Sequence, residues 1–197
     1  MNKAFYLIVL LWSTTSFTHK SGQDARNYYN IPEMLTFDNV QYKLVASYHP
    51  NDIYYKQEYI PAGESVDHFN KMVFIDFVIT DANPREMLDM KAKEMQDRKK
   101  NDSVVNYEIM ENNTNGEYML DFMLSDAKDS KLTVVERNVY RYKSYSDKAG
   151  HRGILLFAIS QRGYDKDIAM FFKNLKSNRV DDINKVGLYN IPDIEIK

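Results

Sequence analysis

The sequence predicts an α+β fold: a mainly antiparallel sheet of six or seven strands flanked by two helices, in the order βββαββββα. Three observations carry that prediction. Several segments alternate apolar and polar residues with a period of two, two other segments repeat at helical spacing, and the helical segments are separated by a block of strands. Strands joined by short turns pair antiparallel, and this order does not build alternating βα units.

Residues 40–48 and 53–60 read as two strands, and His49, Pro50, Asn51 and Asp52 between them are residue types that hairpin loops favour. Residues 71–80 place Val73, Ile75, Phe77 and Ile79 on one side and Met72, Phe74, Asp76 and Val78 on the other. Both sides are largely apolar, which predicts an interior strand. A helix follows to about Lys99, with Asn83 as N-cap, Pro84 at the first helical position and Glu86 closing a capping box. Met87, Leu88, Ala92 and Met95 form its buried stripe.

Residues 104–110 and 117–124 form the next hairpin, across a turn of Asn and Gly that tolerates left-handed backbone. Residues 131–145 read as a long strand. Residues 153–161 carry no polar side chain until Ser160, so this strand needs cover above and below and belongs at the sheet centre. The second helix spans 165–178, with Ile168, Phe171, Phe172 and Leu175 inward. In the tail, a helical turn near 181–186 and edge docking by Ile194 and Ile196 are expected.

Ahead of the fold, Lys3, the apolar run 4–12 and the small, hydroxylated stretch 13–18 follow the order of a secretory signal peptide. The run is far shorter than the roughly 20 residues a membrane-spanning helix needs. The expected organisation is therefore a signal peptide over 1–18, a loose arm over 19–34 and a single α+β domain over 35–197, in a periplasmic or secreted protein. Cleavage after Thr18 or after Gln23 fits the sequence equally. Cysteine is absent, which excludes lipid attachment through cysteine as well as disulfides. A net charge of -2 supplies no broad basic field for nucleic acid. The 15 tyrosines suit sheet faces, where a ring packs while its hydroxyl stays wet.

The element order, the export signal and the segment Glu64-Ser-Val-Asp-His-Phe-Asn-Lys-Met-Val73 leading into a strand resemble the PsbP/Mog1-like group of secreted α/β/α sandwiches, many of them bacterial. The resemblance covers about residues 42–175. It implies a scaffold for interactions and carries over no active site, because members of that group share no chemistry.

Motifs for a nucleophilic serine, a helical zinc site, a phosphate loop and a dinucleotide fingerprint are missing, and His19, His49, His68 and His151 are isolated. No metal or cofactor is expected. Two constellations stand out. The first is the turn carrying Arg141, Tyr142, Lys143, Tyr145, Lys148, His151 and Arg152, where cations, glycines and tyrosines could hold an anion. An ordinary solvated turn is the plainer account. The second is a set of charges within apolar strands, Asp76, Asp121, Glu136 and Arg137, which either pair structurally or line a Met-rich cleft with raised carboxylate pKa values. The function these features favour is an exported soluble protein that binds an envelope protein or a small anionic ligand without covalent chemistry. The rivals are a hydrolase or lyase using Asp76, Asp121 or Glu136, and a structural accessory subunit held by Tyr48, Tyr54, Tyr55 and Tyr59.

Overall fold

In the computed structural model, which describes residues 25–196, the chain forms β1 (Met34–Phe37), β2 (Val40–Asn51), β3 (Tyr54–Pro61), β4 (Lys71–Ile79), α1 (Pro84–Arg98), β5 (Asn106–Asn112), β6 (Glu117–Lys128), β7 (Lys131–Ser146), β8 (Arg152–Tyr164) and α2 (Ile168–Leu188). The signal peptide expected over 1–18 lies outside the described residues. The eight strands make one sheet, ordered β1-β2-β3-β4-β8-β7-β6-β5, and every neighbouring pair is antiparallel. Among the described residues no helix is long and apolar enough to cross a membrane.

Two tight hairpins fix the register at opposite ends of the sheet. Asp38 and Asn39 (φ 51° and 61°) join β1 to β2, and Asp129 and Ser130 (φ 50° and 63°) join β6 to β7. Left-handed backbone at both central residues matches the natural twist of paired strands. β8 lies between β4 and β7 with Gly153 to Ser160 buried throughout, so the prediction of a central, doubly covered strand holds.

Alternation sorts the core into two halves. Met72, Phe74, Val78, Leu156, Ala158, Tyr140 and Phe122 face α1, which lays Met87, Leu88, Ala92 and Met95 onto them. Val73, Ile75, Phe77, Leu155, Phe157, Ile159 and Val139 face the other way, under α2 and the chain ends. The capping box of α1 forms as expected: Glu86 N donates to Asn83 Oδ1 at 3.0 Å and Asn83 N donates to Glu86 Oε2 at 2.9 Å.

The sheet has eight strands, against the six or seven expected. β1 is four residues long and buries only Leu35 and Phe37, too short a run for alternation to register. The described part of the arm, from Ala25 onward, is not loose. Tyr29 is fully buried, its single hydroxyl proton lies between Tyr55 O at 2.7 Å and Ile75 O at 3.1 Å, and its amide donates to Gln57 Oε1. The tail packs on a sheet face rather than an edge: Ile191, Ile194 and Ile196 are buried beside Tyr29, and Glu195 N donates to Tyr29 O at 2.9 Å.

α2 runs ten residues beyond its expected end at Asn178. Its fully buried positions are Ile168, Asp182 and Val186, four and five turns apart on one face. Phe171 rests on Gly163, where a Cβ would lie 2.6 Å from Phe171 Cβ. Phe172, expected inward, is exposed.

Candidate functional site

The β7–β8 turn does not gather its side chains. Arg141 points under α2, where its guanidinium grips both oxygens of Glu117 (2.8 and 3.1 Å) and donates to the carbonyls of Tyr189 and Val186 (2.8 and 3.3 Å). That caps the end of the helix with positive charge. Tyr142 is buried on the α1 face. Lys143 lies over the Tyr145 ring, and burial together with Arg141 lowers its pKa. Tyr145 Oη accepts from Ile194 N.

Asp147 organises the tip. Its buried carboxylate accepts from His151 N, His151 Nδ1 and Ile196 N at 2.7 to 2.9 Å. Burial pushes this carboxyl up, but the His151 and Ile196 hydrogen bonds outweigh it and hold the pKa below the ordinary value. Of the predicted residues Lys148 and Arg152 are exposed and His151 is half-buried on Asp147, with Lys148 3.9 Å from Asp193.

The second constellation is divided by the sheet. Arg137, 1 % exposed, joins Asp121 (2.8 Å), Asp182 of α2 (2.8 Å), Gln161 and the Arg179 carbonyl. Asp121 also receives Arg179, which reaches Glu108, while Asp182 receives Lys71. These groups clamp α2 to the sheet, and each buried charge has an opposite partner.

Asp76 and Glu136 lie on the opposite face. Glu136 is held by Arg162 (2.6 Å) and Asn138 (2.8 Å). Asp76 is buried beneath the α1 side, with Tyr54 Oη donating to Oδ2 at 2.9 Å. Its Oδ1 has no hydrogen-bond partner among the described residues. Burial raises its pKa to about 6, against the opposing pull of Lys56 and Tyr54. Lys91 enters the same layer from α1, pairs with Glu94 at 2.9 Å, and has its pKa lowered by burial. Asp76 and Asp121 therefore share no cleft. The hairpin tyrosines build no continuous surface: Tyr55 and Tyr59 are buried and Tyr54 is tied to Asp76, which leaves Tyr48, 36 % exposed, at the surface.

A concavity forms elsewhere, where the Asp38-Asn39 turn meets the end of α2. This cleft of about 330 Å³ has Phe37, Tyr189 and Leu188 on its apolar side and Asp38, Asp181 and Lys185 on its polar side, with Asn184 beside them. Tyr189 stacks on Phe157 at 4.4 Å and meets Phe37 edge-on, so the floor is a fixed aromatic layer. Lys185 Nζ bridges Asp38 (2.7 Å) and Asp181 (2.6 Å). Leu188 stands at the rim, 85 % exposed.

A protein-family model matches residues 29–191, from the buried Tyr29 of the arm to the buried Ile191 of the tail. The chain belongs to that family. No curated protein and no solved structure matches the chain. The family match spans both walls of the cleft, and it brings no activity or ligand with it.

None of the cleft residues stood out in the sequence. The available signals were Asp38-Asn39 between the apolar Phe37 and Val40, a hairpin dipeptide, and the helical spacing that continues from Leu175 through Arg179 and Asp182 to Val186.

Proposed function

We propose that the protein is exported to the cell envelope and works by noncovalent binding, through the cleft between the Asp38-Asn39 turn and the end of α2. The observation that carries this proposal is the cleft itself, a shallow, open depression of about 330 Å³ whose floor is fixed by aromatic stacking. The placement of the strongest charges supports it. Arg137, Asp121, Arg141, Glu117 and Asp147 all hold α2 and the tail on the sheet, which is work of assembly. Export is supported by the order of charge, apolar run and small residues at the start of the chain. The PsbP/Mog1-like resemblance is supported by the layer order, an antiparallel sheet with one helix on each face.

Two measurements test this. Cell fractionation with mass analysis of the amino terminus is expected to find a soluble envelope protein beginning after Thr18 or Gln23; an intact Met1 in the cytoplasmic fraction would refute export. Native mass spectrometry of protein isolated gently from its own cells is expected to show a bound mass that Leu188→Arg removes. Leu188 is exposed, so this variant keeps the fold. Identical spectra for both proteins would refute binding in the cleft.

A further inference from the structure

We propose that the cleft takes a ligand carrying a protonated amine on an apolar body. This assignment rests on the binding function proposed above and names the chemical class of its ligand. The lining holds two carboxylates, Asp38 and Asp181, against one ammonium, Lys185. Lys71 covers only one of the two: it lies 4.0 Å from Asp38 and 3.1 Å from Asp182, which Arg137 also holds, so among the described residues Asp181 is left with Lys185 alone, and shares it with Asp38. Lys185 reports the resulting field, since hydrogen bonds from its ammonium to Asp181 and Asp38 raise its pKa. A cation is the charge this corner favours.

The two acids differ in reach. Asp38 sits in a tight turn and reaches Lys185 of α2, whereas Asp181 is mostly exposed and among the described residues is paired along its own helix, one turn from Lys185. An incoming ammonium can engage Asp181 while Lys185 stays on Asp38. The apolar body would then lie against Tyr189 and Phe37 and cover Leu188, which otherwise stands in water. A carboxylate or phosphate ligand would face Asp38 and Asp181 at the same spot and be repelled.

The test is an amide-resolved NMR titration of the processed chain with three probes of one shape: phenethylamine, 2-phenylethanol and phenylacetate. Phenethylamine is expected to shift the amides of Asn184, Lys185, Leu188 and Tyr189, with the alcohol and the acid weaker by about tenfold or more. Asp181→Asn is expected to weaken phenethylamine by about five- to tenfold with an unchanged melting temperature, because the side chain is exposed. A terminally blocked phenylalanyl-lysine dipeptide presents the same ammonium on a peptide; whichever of the two amines binds more tightly identifies the source, free molecule or partner chain. Alcohol or acid binding at these residues as tightly as the amine would overturn the amine assignment and leave cleft binding standing. If no probe moves these amides, both fall.

Discussion

Asp76→Asn gives the sharpest account of what the sheet tolerates. In the folded protein this carboxyl titrates at about 6, against 3.8 in an unconstrained chain, because burial disfavours its charge. A raised acid binds its proton more tightly when folded. Stability from this group is therefore greatest at low pH and is lost as pH rises from about 4 through 6, reaching a plateau above. About two units of difference correspond to about 3 kcal/mol of destabilisation at neutral pH. At 4 % exposure the group is little screened by solvent, so that figure needs no surface discount. Asparagine keeps the shape and an acceptor for Tyr54 Oη while removing the charge. Urea unfolding of both proteins is expected to show Asp76→Asn more stable by about 2 to 3 kcal/mol near pH 7.5, with the advantage shrinking by roughly 1.5 kcal/mol by about pH 5. A gap that stays constant over that range, or widens on acidification, would show that Asp76 is ionised and compensated in the fold.

Further outcomes follow from the buried ion pairs and from two glycines. Arg137→Met removes the cation shared by Asp121 and Asp182 and is expected to cost about 3 kcal/mol, most of it recovered when Asp121→Asn and Asp182→Asn are added; a triple variant no better than the single would count against the clamp. Asp147→Asn is expected to speed hydrogen exchange at Ile196 and cost about 1 to 3 kcal/mol at neutral pH. Because the Asp147 pKa is lowered, its contribution is full above the ordinary carboxylate pKa and fades as acidification passes the lowered value, so the two melting curves should converge in acid. Gly153→Ala drives a Cβ to 1.9 Å from Val78 O and is expected to lose about 3 kcal/mol or more. Gly187→Ala, in α2, places a Cβ in ordinary contact with Met119 of β6 (Sδ at 3.4 Å, Cε at 3.9 Å) and is expected to gain about 0.5 to 1 kcal/mol, a contrast that thermal melts of the pair check directly.

Side-chain pattern revealed the sheet wherever both faces were apolar. β4 and β8 could be placed centrally because alternation and continuous burial are properties of one segment, and α1 could be bounded because its cap is local. The pattern failed where burial is ionic. At Arg179 and Asp182 the inward stripe of α2 turns polar, which makes a continuous helix look finished at Asn178; the apolar partner those positions lack is replaced by Asp121 and Arg137. The candidate charges were recognisable as costly to bury. Which of them meet depends on strand register, and parity then puts Asp121 with Arg137 on one side and Asp76 with Glu136 on the other. Arg141 looked free because the groups that hold it, Glu117 and the α2 carbonyls, lie 24 to 48 positions away in the chain.

The bond from Glu195 to Tyr29 closes nearly the whole domain into a ring. Tyr29 gains this bond only once residue 195 is in place, and the pairing of β4 with β8 imposes a similar long-range closure on the middle of the sheet. A variant lacking residues 190–196 leaves Tyr29 without the segment that covers it. Tyr29 and Glu195 lie side by side, so a chain permuted with a short bridge between these two positions and opened at the exposed turn after Asn112 is expected to fold.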